Sequence, residues 1–157
     1  MATSSADIKQ SYPLPVYNYK VEIDGEAIAF SEVSGLSVGF ETTTYKESPT
    51  ASGQIGPTVI HMPAQRTAVN ISLRKGLVRS TSIRVLYNWI STTKINQIQK
   101  KDIYVRLLDE AGDAVISWKV FNAFPTKLDA PSFDANSNDV AVESMELMAD
   151  RVTIEEA

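Results

Sequence analysis

The chain is predicted to fold as a mainly β protomer, an antiparallel β-sandwich or barrel carrying one α-helix. Short runs in which apolar and polar residues alternate recur along it, and such alternation marks half-buried strands. Clusters of Gly, Pro, Asn and Asp separate these runs and supply the reversals between strands. A helical period occurs once, without the strand and helix alternation that builds a parallel sheet. At 157 residues the chain is one domain, 1–157, with material for one core.

Residues 1–15 are polar and end on Pro13 and Pro15, so they read as a flexible arm closing in an extended turn. Residues 16–23 alternate, with Tyr17, Tyr19, Val21 and Ile23 on the inward side. Asp24 and Gly25 fit a tight hairpin turn, because glycine tolerates positive φ. A second strand over 27–33 pairs back. Residues 36–47 alternate again, with Leu36, Val38 and Phe40 on an apolar face and Ser37, Gly39, Glu41 and Thr43 on a polar one. Residues 48–63 hold three prolines and two glycines and read as a long loop; such loops in compact domains are functional or mobile. In 66–75 Val69, Ile71 and Leu73 oppose Ala68, Asn70, Ser72 and Arg74, and Gly76 ends the strand.

Between 80 and 94 the period changes. Ile83, Leu86, Tyr87 and Ile90 follow i, i+3, i+4, i+7, with Ser80 or Ser82 available as N-cap. Residues 102–108 form a further strand and 110–113 a turn. The run beginning at Ala114 is dense in β-branched and aromatic residues, Val115, Ile116, Trp118, Val120 and Phe121, and is expected to stop at Pro125. A connector rich in turn residues follows: Asp129, Pro131, Asp134, Asn136, Asn138 and Asp139. The run 140–154 exceeds the five or six residues of a typical strand. It therefore pairs with more than one neighbour or reaches beyond its own domain, a first sign of assembly.

Composition narrows the function. Hydrophobic content of 43% with 22% charged residues is that of a soluble globular chain. No apolar run reaches the roughly 20 residues of a membrane helix. The N-terminus lacks a basic stretch followed by an apolar one, so synthesis in the cytoplasm without a signal peptide is expected. The absence of cysteine excludes disulfides, thiolate metal sites and a cysteine nucleophile. A net charge of -4 with scattered basic residues disfavours stable nucleic-acid binding.

The search for chemistry is negative, and neither a catalytic site, a metal site nor a cofactor is expected. His61 is the sole histidine, and no nucleophile elbow or phosphate-binding glycine motif accompanies it. The segment from Asp134 to Asp139 begins like a calcium loop, but Asp139 and Met145 stand where that motif needs Gly and a bidentate Glu. Asn70 to Ser72 matches a glycosylation sequon in mid-strand, a chance match. Glu143 and Glu146 fall on opposite faces of a strand, a poor acid/base pair. Trp89 and Trp118 sit among apolar residues and read as core. The basic run from Arg74 to Arg79 reads as a solvated corner.

Several segments in order resemble one family. FSEVSGL (30–36), ETTTYKES (41–48), MPAQRTAVNISLRKG (62–76) leading into LYNWI (86–90), and WKVFNAFPTKLDAPSFDANSNDVAVESMELMADRV (118–152) are similar to tail tube proteins of contractile phages and phage-tail-like particles. Within them KKDI, NAFPT, PSFDA and ADRVTI most resemble inner tube proteins of extracellular contractile injection systems, which deliver protein toxins. The likeness spans residues 12–154.

The resemblance implies a structural virion or particle component: six protomers to a ring, rings stacked into a tube inside a contractile sheath, and four strands from each protomer in a continuous barrel around the lumen. About 24 strands spaced ~4.8 Å and tilted near 40° close at a backbone diameter of roughly 45–50 Å, leaving a channel of roughly 35–40 Å. Closure also removes sheet edges that would otherwise aggregate. The implied partners are the chain itself, the sheath, the baseplate or spike, a terminator cap and protein effector cargo in the lumen, in a particle released from the cell. The polar faces, Ser37, Glu41 and Thr43 with Asn70, Ser72 and Arg74, are expected to line the lumen. The loop containing Pro49, Gly53 and Gly56 and the N-terminal arm are expected to stack rings. The connector containing Pro125, Pro131, Phe133 and Asp134 is expected to touch a neighbouring protomer. The alternatives are a phage tail tube conducting DNA, the related secreted tube of type VI secretion, or a monomeric β-sandwich binding module.

Overall fold

The computed structural model describes residues 2–95 and 97–156. Its strands are β1 (Tyr19–Ile23), β2 (Glu26–Ile28), β3 (Glu32–Ser34), β4 (Phe40–Glu47), β5 (Thr58–Arg66), β6 (Val69–Gly76), β7 (Lys101–Leu108), β8 (Ala114–Asp129), β9 (Val142–Ala149) and β10 (Arg151–Glu156). Its helices are α1 (Ser5–Ser11), α2 (Arg79–Thr81), a π-helical segment Ser82–Tyr87, and α3 (Asn88–Ser91). All strand pairings are antiparallel.

β8 runs for 16 residues and holds the fold together because its two halves have different partners. The first half lies between β7 and β10 and the second beside β9, giving the order β2-β1-β7-β8-β9-β6-β3 with β10 on β8. The path therefore forms two layers that share β8. Val21, Ile23, Ile103, Val105, Val120 and Val152 line one inner face, and Val69, Ile71, Leu73, Met145, Leu147 and Ala149 the other, all buried. Strand alternation places these residues inward together and leaves the intervening polar ones outside.

Several expectations change. The arm over 1–15 contains α1, capped by Ser4, whose hydroxyl accepts from the Asp7 backbone N–H at 3.2 Å. The first strand begins at Tyr19, so Val16 and Tyr17 stay exposed. The strand expected over 27–33 divides into β2 and β3, which pair with β1 and β6 respectively and so carry the chain between layers. Pro125 does not stop its strand. It is buried within β8, where the register against β9 shifts between Pro125 and Lys127, and a bulge absorbs a residue that cannot donate to the ladder. The run 140–154 breaks at Asp150 into β9 and β10. β9 pairs with both β6 and β8 and β10 with β8, which accounts for its length.

The helical stripe is also rotated from its expected position. Val85, Leu86 and Trp89 are buried with Ser82, whereas Ile83 and Tyr87 are exposed. A π-helical turn holds more residues than an α-turn, so positions spaced for a 3.6 period drift off the inner face. Neither Ser80 nor Ser82 caps the segment. The Ser82 hydroxyl instead accepts from the Val78 backbone N–H at 3.0 Å. Trp89 is buried and donates its indole N–H to the Gln99 carbonyl at 2.7 Å, and Trp118 packs against the core.

One glycine is required. Gly35 has φ +88°, and a Cβ there would collide with the Asn70 carbonyl. Before Gly35 the inward residue is Val33; after it the inward residue is Leu36, so the turn resets the alternation. Gly35→Ala is expected to lower stability by about 2–4 kcal/mol, combining strain with overpacking. Gly112→Ala, also at positive φ but facing open space, is expected to cost only about 1–2 kcal/mol. Urea midpoints of the two variants check the difference.

Candidate assembly surfaces

β3 and β4 run consecutively along one side, and β5 and β6 along the other. β3 pairs with β6, the Thr67 N–H donates to the Gly39 carbonyl at 3.1 Å, and β4 pairs with β5. The β4–β5 hairpin is thus a ribbon continuing from the β3–β6 edge beyond the sandwich. The loop expected over 48–63 shortens accordingly, because Thr58–Arg66 is strand. Pro49, Gly53 and Gly56 lie in the hairpin tip, where a Cβ on Gly56 would collide with Pro49.

Every residue of β4 is exposed, and so is all of β5 except the half-buried Ala64. Val38 and Phe40, expected in the core, lie past its end; with Val69, Val152 and Ile154 they line an open cleft of about 380 Å³. Ile55 at the tip is 99% exposed. Two strands paired only with each other are marginal in water, and Tyr45, Val59, Ile60 and Met62 leave apolar surface on this ribbon. Such a ribbon calls for cover from another chain.

The outer face of the β8–β9–β6–β3 layer is polar. Asn70 and Arg74 are exposed and Ser72 half-buried there, beside Ser144 and Glu146 of β9 and Glu32 and Ser34 of β3. Arg74 and Glu32 form an ion pair at 3.5 Å. Glu41 and Thr43 are exposed on the ribbon rather than on this layer and share their face with Tyr45, and Ser37 is exposed in the segment between β3 and β4. The β9 contribution was legible, since Ser144 and Glu146 alternate with Met145 and Leu147.

The opposite outer face carries cations interleaved with rings. Arg106 and Lys119 flank Tyr104, and Lys119 and Arg151 flank Phe121, at 4.3 to 5.4 Å. A hydrogen bond with Tyr104 raises the Lys119 pKa, which keeps the ammonium charged.

The connector between Asp129 and Val142 has no regular structure. Its middle makes local bonds, the Asn136 N–H donating to the Asp134 carboxylate at 3.0 Å and the Asp139 N–H to the Ser137 hydroxyl at 3.1 Å, and its end is anchored where the Ala141 carbonyl accepts from the Leu77 N–H at 2.9 Å. Phe133 is 87% exposed and Pro131 half-buried.

Beneath the helical segment lies a buried charge pair. Lys75 and Glu143 are 3% and 5% exposed, face each other across β6 and β9, and approach to 3.6 Å. The Lys75 ammonium also donates to the Gly76 carbonyl at 2.8 Å and the Ser82 hydroxyl at 3.3 Å. The basic run from Arg74 to Arg79 is therefore not wholly a solvated corner. The signal was present: Lys75 continues the inward series Val69, Ile71, Leu73, and Glu143 the series Ala149, Leu147, Met145.

Asp109 closes the β7–β8 turn, its carboxylate accepting from the Ala111 and Asp113 backbone N–H groups at 2.9 Å each. The Asp113 N–H is the main cause of a pKa lowered from the ordinary 3.8. A lowered folded-state pKa stabilises above the unfolded value and loses that stabilisation as pH falls through the folded one. The stability gap between the protein and Asp109→Ala is therefore expected to be constant above about pH 5 and to narrow below the unfolded value, as thermal melts from pH 7 to 3 can measure.

His61 sits in the ribbon, its Nδ1 3.4 Å from the Thr44 hydroxyl. Among the described residues no three His, Cys, Asp or Glu side chains converge as a metal site. Also among them, no helix is long and apolar enough to cross a membrane.

An antiparallel β-sandwich with a doubly exposed ribbon and free sheet edges defines a structural subunit built to pair with copies of itself. The chain belongs to the T4-like virus tail tube protein gp19 family, whose model matches residues 15–153. It is 40% identical, over 99% of its length and 100% of the other chain, to a chain of the extracellular contractile injection system PVC sheath-tube complex in the extended state, with a TM-score of 0.88. It is 43% identical, over the full length of both chains, to a chain of the anti-feeding prophage tube terminating cap, with a TM-score of 0.85. Hcp1 from Flavobacterium johnsoniae shares the fold, at 18% identity over 90% of this chain and 97% of that one, with a TM-score of 0.51. Comparison with curated protein sequences finds no significant match.

Proposed function

We infer that this chain is the inner tube subunit of an extracellular contractile injection system. Six protomers close a ring, rings stack into a hollow conduit inside a sheath, and contraction drives the conduit with its protein cargo into a target cell. The observation that carries this reading is the full-length likeness to a chain of the sheath-tube complex. The ribbon supplies a physical reason for assembly, since its exposed faces need cover. The partners are further copies of the chain, the sheath, the baseplate and the terminating cap, of which the sheath and the cap match the assemblies in which its relatives occur. The role is structural rather than enzymatic. The chain leaves the cell as part of the particle.

The lumen is walled by the polar outer face of the β8–β9–β6–β3 layer, with Asn70, Ser72 and Arg74 at its centre, Ser37 on the segment leading out of it, and Glu41 and Thr43 along the continuing ribbon. Hydroxyl, amide and mixed-charge groups bind water as well as they bind a passing polypeptide, so cargo slides. Ser72→Leu or Glu41→Leu is expected to leave rings intact and to retain cargo, measured as cargo recovered from contracted particles. Ring loss would instead show that these side chains pack at an interface.

Negative-stain electron microscopy with light scattering tests the whole reading. Six-fold rings or hollow tubes support it. A monomer that stays monomeric with baseplate components added would favour a binding module instead.

A further inference from the structure

Two surfaces at one end of the sandwich remain uncovered. The first is the connector over 130–141, in which Phe133 is 87% and Val140 78% exposed. Its only charges are Asp134 and Asp139. The second is the outer side of the helical segment, where Val78, Ile83 and Tyr87 are 50 to 60% exposed. From residue 77 to residue 99 the chain has three basic residues and no carboxylate. One surface is apolar with an acidic rim, and the other is apolar with Arg79 at its rim, Arg84 being paired with Glu26.

Topology brings them together between protomers. The β8–β9–β6–β3 layer has two free edges among the described residues: the second half of β8, which β7 leaves at Ala123, and the far side of β3. A ring closes head to tail by joining one edge to the other, and a rotation axis keeps equivalent ends level. Asp129, where the connector departs, lies on the same row as Ser144 and Arg74, and the helical segment begins just past Gly76. The neighbour's β6 is then two strand spacings, roughly 10 Å, from the β8 edge. A connector of 12 residues crosses that gap easily at ~3.3 Å per residue.

We propose that the connector of one protomer docks on the helical segment of the next copy in the ring, Phe133 seating against Ile83 and Tyr87, with Asp134 and Asp139 facing Arg79. The contact rests on the ring reading and names the partner surfaces within it. It also fits a helix whose π-turn directs two large apolar side chains outward.

The chain has no cysteine, so disulfide trapping is clean. Full-length Phe133→Cys and Ile83→Cys variants are assembled together and oxidised, and a variant carrying both is treated in parallel. The mixture is expected to give a covalent dimer absent from either variant alone, and the double variant a ladder ending at six chains. Rings visible in the microscope without inter-chain bonds would overturn this contact and leave the ring standing. A bond confined within one chain would likewise overturn it, placing the connector against its own helix. Absence of both rings and bonds, with the unsubstituted protein also failing to form rings, would remove the ring reading together with the contact.

Discussion

Lys75→Met is expected to lower the free energy of unfolding by about 3–5 kcal/mol, because it strands the Glu143 carboxylate in the core. The pair lies on the inner face of β6 and β9, both side chains almost wholly enclosed, and one Glu143 oxygen has no hydrogen-bond partner. That carboxylate then depends on the Lys75 ammonium, which also ties β6 to Ser82 of the helical segment. Glu143→Leu is expected to cost a similar amount, since it strands the ammonium. Lys75→Met combined with Glu143→Leu removes both charges at nearly constant volume and is expected to fall within about 1 kcal/mol of the parent, or above it. Urea unfolding of the four proteins gives the coupling directly. Additive single effects would show that the two charges do not sense each other.

Deleting residues 50–56 is expected to abolish tubes while leaving the fold and the ring. The segment contains Gly53, Ile55 and Gly56 and lies at the far end of the ribbon, touching no part of the core. β6 runs from the ribbon to the helical end over eight residues, roughly 26 Å. The tip therefore projects from one end of the protomer and the helix lies at the other, the arrangement head-to-tail stacking requires. Light scattering reads the ring mass and electron microscopy the stack. The free energy of unfolding should change by less than about 0.5 kcal/mol, as for surface changes away from packing. Tubes of normal length after the deletion would take the tip out of stacking, and dispersed monomers would make it part of ring closure. Ile55→Asp isolates the exposed apolar knob without shortening the chain and is expected to weaken stacking in the same direction.

The family was legible at sequence level because many segments resembled it in order, and the matching model covers nearly the same span. Most strands were legible as well: Val69, Ile71 and Leu73 are buried where their alternation put them. Where alternation was read only in part, chemistry went unseen. Lys75 and Glu143 follow their strands' inward series, yet their charge type suggested solvent.

Local pattern alone determined which side chains share a face of most strands and that the chain is a mainly β unit, since these depend on neighbouring residues. Tertiary structure decided which faces are covered. Val38 and Phe40 have the pattern of core residues but flank an open cleft with Val152 and Ile154 instead of a packed interior. Pro125 reads as a stop yet is carried through β8 by a shift of register against β9. Ile83 and Tyr87 fall outside because a π-turn displaces them. Burial is a relation between distant segments, and the ribbon, connector and helix expose what a single chain cannot cover.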